Sequence, residues 1–295
     1  MVNLRDLRFR MRAIRQTLQV TKAMNLISTA KLRKGRRMLE DTDIYFTRIQ
    51  KSMFDILSGA GEIESPFYRS LSPEKRKNAA VVVISSDKGL AGAYNANVFR
   101  LTNEICSRFS NPQLILIGSI GLRHYLHSSY TILENFSFHS QMPTLEDAGK
   151  IAEYIVSQYL KGIFEEVHVV HTHMFSTIKL IATELHAIPI EAKIIHEELV
   201  NAGNVERVKL DFEFLPSKNE LFDALVPMYI RGLIYGSMVE SYISEQCARM
   251  HAMDEASKNA EEVLDVLQIQ YNRARQSAIT QEMSEIVGGY SALAE

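Results

Sequence analysis

The sequence lacks the features that mark membrane-spanning, exported and disulfide-bonded proteins. Its longest uninterrupted apolar run is the six residues Ala79–Ile84, far below the roughly 20 that a membrane-spanning helix needs. The N-terminal segment is basic but has no apolar centre followed by a small-residue cleavage site, so no export signal is indicated. Cys106 and Cys247 have neither CxxC nor metal-ligand spacing, as is typical of a reducing compartment. We therefore expect a cytoplasmic protein without a disulfide.

Motifs for catalysis and phosphate binding are also missing. The sequence contains no GxGxxG, GxxxxGKS/T, GxSxG or HExxH pattern, so neither a phosphate-binding loop nor a common nucleophile or zinc arrangement is indicated. We expect no catalytic activity and no cofactor. The glycines of Ser85–Asn95, Gly89 and Gly92, are interpreted as turn residues, whereas Gly118 and Gly121 are expected to allow close packing.

A histidine-rich run, His168–His173, invites a metal-binding interpretation. In a strand, His171 and His173 share one face and His168 lies on the other, because successive side chains alternate. Two histidines at this spacing could begin a zinc site, but the sequence identifies no third ligand. We therefore expect half-exposed strand histidines and no metal. The adjacent Glu165 and Glu166 point to opposite faces and do not form a carboxylate pair.

Charge is distributed very unevenly along the chain. Met1–Met38 contains eleven Lys or Arg and one acidic residue, Asp6, a local charge of about +10, which leaves about −12 for the remainder of a chain whose net charge is −2. A basic arm on an acidic body predicts an acidic partner for the arm, such as nucleic acid, an anionic membrane or an acidic protein surface.

Two long helices are predicted at the ends of the chain. The first runs from Leu4 to Leu57 without proline. The second begins after a capping box formed by Ser217 and Glu220, is expected to kink at Pro227, and ends near Val287 at Gly288–Gly289. A strict 3-4 spacing in the first helix predicts a coiled-coil seam. Its positions are Leu4, Leu7, Met11, Ile14, Leu18, Thr21, Asn25, Ser28, Leu32, Gly35 and Leu39.

The second helix carries a matching seam, which makes the first helix its natural antiparallel partner. The seam residues are Leu264, Leu267, Tyr271, Ala274 and Ala278. Because the second helix is longer, its last turns should protrude as a single helix, although Ile279, Met283, Ile286 and Val287 are apolar. An amphipathic core helix remains the simpler alternative for the N-terminal segment.

Between the helices, short apolar runs alternate with helical segments. Strands are predicted at Ala79–Ser85, Gln113–Gly118, Thr131–Phe138 and Glu166–Met174, with helices at Asn97–Phe109, Leu122–His127 and Thr144–Leu160. The segments Ser176–Leu185 and Glu191–Leu199 are ambiguous between strand and helix. The predicted fold class is α/β, with an antiparallel coiled coil of the terminal helices and an inserted Rossmann-like domain with a mainly parallel sheet. We assign residues 1–60 and 216–295 to the coiled coil and 61–215 to the inserted domain.

Three function classes fit a basic helix paired with a distant second helix. They are a nucleic-acid-binding protein, a structural coiled-coil scaffold and a shaft inside an acidic protein collar. Phe9 is the only aromatic residue before Tyr45, and the basic residues interleave with an apolar seam, which disfavours nucleic acid.

Three stretches resemble the gamma subunit of F-type ATP synthases of the bacterial type. They are Thr21–Arg37, Ser86–Asn95 and Asn272–Glu295, and their order and the chain length also fit the family. The resemblance implies the central rotor shaft, which couples ion-driven rotation of the membrane c-ring to ATP synthesis or hydrolysis in a ring of three alpha and three beta subunits. It also implies a peripheral position on the cytoplasmic face of the cell membrane, contacts with epsilon and the c-ring, no membrane insertion, and no nucleic acid.

The resemblance also implies which residues contact these partners. Met24 matches the methionine at the narrow part of the shaft, and Glu282 lies one turn beyond residues that match the family's ring contacts. Residues implied to contact the alpha/beta ring are Lys22, Met24, Arg33, Lys34, Arg36, Arg275, Gln276, Thr280 and Glu282, and those implied at the c-ring and epsilon foot are Phe212, Glu213 and Phe214. Leu215 stands where relatives often carry a glutamate, and Glu213 is the nearest substitute. The small and polar seam residues are expected to give a slim shaft with a wet, weakly adhesive surface.

Overall fold

The computed structural model describes residues 4–58, 63–68, 78–136, 143–190, 215 and 217–293. The chain divides into two compact units, one formed by Met1–Thr29 with Arg249–Glu295 and the other by Ala30–Ala248. The two long terminal helices each contribute residues to both units. None of the helices within the described ranges is long and apolar enough to cross a membrane.

Helix α1 spans Leu4–Ser58, as the uninterrupted helical pattern predicts. Its 3-4 seam is confirmed, since every seam position from Leu4 to Leu39 is buried or half-buried. Three seam residues expected to give a wet outer surface, Thr21, Ser28 and Gly35, are instead buried, and Thr21 and Gly35 lie against the second helix. That expectation was wrong because small seam side chains let the two helices come close together, and the opposite helix then covers these side chains.

The C-terminal helix, here called α5, spans Lys218–Leu293 and has 76 residues. Its start follows the predicted capping pattern, because the Glu220 amide donates to Ser217 Oγ at 3.2 Å. The helix continues through Pro227 as one element. It also continues through Gly288–Gly289, so the predicted end near Val287 was wrong. A glycine costs a helix only about 1 kcal/mol, and no proline follows to stop it.

The second unit is built on a five-stranded sheet. Its strands are β1 (Asn78–Ile84), β2 (Asn111–Ile117), β3 (Thr131–Phe136), β4 (Glu166–Met174) and β5 (Leu180–Ile188), and their order in the sheet is β3-β2-β1-β4-β5. Strands β1 to β4 are parallel to one another, and β5 pairs antiparallel with β4. The mainly parallel sheet is thus confirmed. The first ambiguous segment, 176–185, contributes the start of a strand, and the second, 191–199, lies outside the described residues. The helices between the strands are α2 (Tyr94–Cys106), α3 (Ser119–Tyr125) and α4 (Leu145–Leu160).

Helices α2 and α3 both begin three residues before their predicted starts. The cause is the loop that follows β1, whose polar groups organise both helix starts. Asp87 Oδ1 accepts hydrogen bonds from the Ser119 amide and hydroxyl at 3.0 and 3.1 Å, which caps α3 from a distant loop. Asn95 Oδ1 accepts from the Ser86 amide at 3.0 Å and holds the loop against the start of α2.

Two glycines confirm their predicted structural roles in this region. Gly118 has φ +95°, and a Cβ there would lie 2.3 Å from the Ser85 carbonyl oxygen. A Cβ on Gly121 would lie 2.7 Å from Ser85 Oγ. The strand-to-helix turn after β2 therefore packs its backbone directly against the end of β1, which only glycine permits.

The sheet is covered by apolar side chains on both faces. Val82 and Ile84 belong to a core that includes α4 and the part of α5 around Phe222 and Ile230. Val81 and Val83 face the other way, toward a core that includes Val98 of α2. This alternation is why β1 reads as a continuous apolar run, as expected for a strand buried on both faces.

The β4 histidines differ from the sequence-based expectation. His171 and His173 do share one face, but His168 and His171 are only 7% and 3% exposed, so half-exposure was wrong for both. Carboxylates make this burial possible. His168 Nε2 lies 3.0 Å from Glu166 Oε2, and Glu240 of α5 contacts both His171 and His173. Glu165 accepts a hydrogen bond from the Asn78 amide instead.

Candidate functional site

The terminal halves of α1 and α5 form the first unit as an antiparallel helix pair. Pairing runs in opposite directions along the chain, since Arg8 contacts Tyr271 whereas Asn25 contacts the Met250 carbonyl. Buried and half-buried residues of α5 continue the 3-4 spacing through Leu267, Tyr271, Ala274 and Ala278. The predicted antiparallel coiled coil is therefore confirmed.

The seam changes character along its length. Near the start of α1, Leu7, Met11 and Leu267 form a small apolar core. Farther along, Thr21 Oγ1 lies 2.8 Å from Ser257 Oγ, and Asn25 Nδ2 donates to the Met250 carbonyl at 3.0 Å. Polar seam positions satisfy each other or the opposite backbone, so they specify register without a large apolar contact.

The tail of α5, defined as Ile279–Val287, has no buried or half-buried side chain. Its four apolar residues are 48–72% exposed. Such a run of exposed apolar side chains is typical of a surface that another molecule covers. The expected protrusion beyond the seam is confirmed as far as Val287, since none of the side chains described between Ala278 and that residue is even half-buried.

The ring-contact residues implied on α5 are all exposed and fall on two stripes of the helix. Arg275 and Glu282 are seven residues apart and align with the apolar Ile279 and Ile286. The second stripe, Gln276 with Thr280, aligns with Met283 and Val287. Thr280 Oγ1 donates to the Gln276 carbonyl at 2.9 Å, so its hydroxyl is already satisfied within the helix. Each stripe thus combines polar groups with exposed apolar surface.

The implied contact residues of α1 have different surroundings. Lys22 is exposed but forms an ion pair with Glu261 of α5 at 2.6 Å, and Met24 is half-buried. Arg33, Lys34 and Arg36 belong to the second unit, where all three side chains are exposed. The implied foot residues Phe212, Glu213 and Phe214 lie outside the described residues, while the neighbouring Leu215 is 78% exposed.

Exposed apolar residues on α1 were missed at the sequence level. Phe9, Val20, Leu26 and Ile27 are 56–74% exposed. All four lie off the 3-4 seam. Their position outside the seam was the feature of the sequence that could have predicted their exposure. An apolar side chain that the seam cannot bury must be covered by something else or remain in water.

Comparison with known proteins identifies the family. Residues 3–293 match the family model described as ATP synthase. The chain is 42% identical over 292 residues to the ATP synthase gamma chain of Ruminiclostridium cellulolyticum, covering 99% of both. It is 39% identical over 294 residues to that of Acetivibrio thermocellus, covering 99% of this chain and all of the relative. The chain belongs to the ATP synthase gamma-chain family.

The fold agrees with that assignment. A chain of the Euglena gracilis mitochondrial ATP synthase, from a structure of its OSCP, F1 and c-ring, superposes with a TM-score of 0.68 at 18% identity, covering 98% of this chain and 94% of that one. As a gamma chain, this protein is a subunit of an ATP synthase. The scaffold and nucleic-acid alternatives are not favoured.

Proposed function

We propose that the paired helices of the first unit enter a ring of three alpha and three beta subunits, and that the α5 tail is the surface the ring grips. The observation that carries this proposal is the exposure of every side chain of Ile279–Val287 on a helix that continues to Leu293. An exposed tail of this composition is best explained by a partner that surrounds it. The shaft itself is non-catalytic in this proposal.

The two stripes of the tail act as separate contact faces. Arg275 and Glu282 carry opposite charges on one stripe, so they pair with complementary charges on ring loops. Gln276 and Thr280 supply neutral hydrogen-bonding groups on the other stripe. On α1, Met24 and the basic residues Lys22, Arg33, Lys34 and Arg36 meet acidic loops of the ring.

Rotation of the shaft changes the nucleotide affinity of the catalytic sites because a helix pair has no threefold axis. Three identical beta subunits must then contact three different faces of the shaft, and each contact favours a different conformation of its catalytic site. Each tenfold difference in nucleotide affinity requires about 1.4 kcal/mol of differential contact energy. Turning the shaft exchanges the three contacts and therefore the three affinities.

The domain boundaries and the contacts at the membrane side complete the proposal. Residues 1–60 and 216–295 form the shaft and 61–215 the inserted domain. Phe212, Glu213 and Phe214 contact the c-ring and epsilon, which holds the complex at the cytoplasmic face of the cell membrane.

The test is reconstitution of the full-length chain with the alpha and beta subunits of its own synthase. Two double variants remove one stripe each, Arg275→Ala with Glu282→Ala and Gln276→Ala with Thr280→Ala. Arg123→Ala, an exposed cation on α3, is the matched control. We expect one chain per hexamer and lower rotary torque in both stripe variants but not in the control. Torque equal to wild type in both, or a chain that forms a homodimer on DNA and no hexamer, would contradict the proposal.

A further inference from the structure

Two histidines of β4 and one glutamate of α5 meet in the second unit, away from the helix pair. His171 Nε2 and His173 Nδ1 lie 3.1 and 2.8 Å from the same oxygen, Glu240 Oε2. The ligand atoms of all three residues lie within 4.8 Å of one another. We propose that His171, His173 and Glu240 form a binding site for a divalent transition metal ion of the zinc class.

The donor set fits that class of ion. Zinc binds imidazole nitrogen and carboxylate oxygen at about 2.0–2.2 Å, usually with tetrahedral geometry, so neighbouring ligand atoms lie about 3.3 Å apart. The two observed separations are a few tenths of an ångström shorter. A small outward movement of the Glu240 carboxylate is enough to admit the ion between the three groups.

The backbone around the three ligands holds them in place. The Thr172 amide, between the two histidines, donates to Ser241 Oγ at 3.2 Å, and Ser244 Oγ donates to the Thr172 carbonyl at 2.9 Å. These bonds fix the register of β4 against α5 beside Glu240. The ion therefore meets a largely preformed site.

Access and charge also favour this cluster. The side chains of His171, His173 and Glu240 are 4%, 39% and 23% exposed, so the site is open on the side of His173. Water can complete the coordination there, as in zinc sites with three protein ligands. Binding requires a lone pair on each coordinating nitrogen, so His171 must carry its hydrogen on Nδ1 and His173 on Nε2, and a ring that is protonated on both nitrogens releases one proton to solvent.

A second cluster, on the opposite face of β4, is less suited to a cation. Glu166, His168 and His186 also bring their ligand atoms within 4.8 Å of one another. His168 additionally contacts Glu184, which Arg108 binds at 2.8 Å. The guanidinium supplies the positive charge in that network and repels a metal ion.

The ion would join β4 to α5 by direct bonds. It would stabilise the packing of the sheet against the helix, because a ligand that binds only the folded chain raises its unfolding free energy. This role does not depend on the rotor function proposed above, since it concerns contacts within the second unit alone.

The experiment uses the chelator-treated full-length chain titrated with Zn²⁺ by calorimetry and with Co²⁺ by visible absorption. His173→Gln and Glu240→Gln remove one ligand each, and His173 is exposed enough to be replaced without loss of the fold. His127→Gln, an exposed histidine after α3, is the matched control. His186→Gln removes a ligand of the second cluster.

We expect one Zn²⁺ per chain in wild type, His127→Gln and His186→Gln. Binding should weaken roughly 100-fold or more in His173→Gln and Glu240→Gln, since even groups behind metal ligands account for 10–100-fold in affinity. The visible absorption of bound Co²⁺ should disappear in the same two variants. Absence of binding in wild type, unchanged affinity in His173→Gln, or loss confined to His186→Gln would overturn the proposal.

Discussion

Thr21 and Ser257 lie 236 positions apart in the sequence, yet their hydroxyl oxygens are 2.8 Å apart and buried. Each hydroxyl also has an acceptor in its own helix, Leu18 O for Thr21 at 3.1 Å and Met253 O for Ser257 at 2.8 Å. Either hydroxyl therefore stays satisfied if the other is removed. This part of the seam fixes the register of the helices and contributes little apolar contact energy.

The two ends of the seam should accordingly differ in their sensitivity to substitution. Thr21→Val should lower the free energy of unfolding by about 0.5–1.5 kcal/mol, the usual contribution of one hydrogen bond. Leu7→Ala should cost about 2–5 kcal/mol, because it opens a cavity beside Met11 and Leu267. Urea denaturation of the full-length chain measures both. A Thr21→Val effect as large as that of Leu7→Ala would show that the polar seam is the main source of stability.

Two helical glycines should respond in opposite directions to alanine. A Cβ on Gly35 would lie 2.8 Å from Ile243 Cγ1, whereas a Cβ on Gly236 would have no neighbour within 4 Å. Gly236→Ala should stabilise the chain by about 0.5–1 kcal/mol through helix propensity. Gly35→Ala should lose that gain and destabilise the chain, since Ile243 must move. Thermal melting distinguishes them, and equal stabilisation by both would mean that the helices can separate at no cost.

Stability should depend on pH through His168. Burial opposes its positive charge, but the hydrogen bond to Glu166 and the contact with Glu184 outweigh burial and raise the pKa of His168 above its usual value. The other charged or titratable groups around it are Arg108, bound to Glu184, and His186, whose ring centroid lies 5.0 Å away. A raised folded-state pKa gives stability that is complete below the unfolded pKa of about 6.5 and is lost as pH rises through the folded value.

The corresponding variant is His168→Gln, which keeps a hydrogen-bonding side chain but cannot titrate. Its free energy of unfolding should decline less steeply than that of wild type as pH increases above about 6.5. The measurement is denaturation across that range, with His127→Gln as an exposed control. Parallel curves for His168→Gln and wild type would mean that His168 does not change its protonation there.

The long-range pattern of the fold could be predicted because it depends on periodicity. The seam from Leu4 to Leu39 and the parallel arrangement around β1 both follow from the spacing of apolar residues. Two errors had a common cause. The burial of His171 requires Glu240, and the early start of α3 requires Asp87, a partner 32 positions away. Periodicity predicts the face on which a side chain lies but not the distant group that it meets.

The end of α5 was mispredicted for a different, local reason. Gly288–Gly289 resembles a helix stop, but nothing at these positions forces the backbone out of the helix. The candidate contact residues depended even more on the resemblance to a family, since Gln276 and Thr280 are ordinary exposed helix residues by their pattern alone. The structure adds that they share stripes with exposed apolar side chains.

The central claim is that the α5 tail is stabilised by partner subunits and not by its own chain. Its most direct test compares the full-length chain with one that ends at Ala278. This end keeps Ala274, which packs against the Leu7 core. Leu267→Ala, which opens that core, is the control for a real loss of folding energy.

The deciding measurement is the melting temperature of each isolated chain, followed by its retention in the alpha/beta hexamer. We expect the shortened chain to melt within about 1 °C of full length, less than the roughly 2 °C that 1 kcal/mol produces in a chain of this size, and to be retained less well in the hexamer. Leu267→Ala should melt several degrees lower, by the same relation. A shortened chain that melts as low as Leu267→Ala would mean that the tail belongs to the chain's own core, and would contradict the claim.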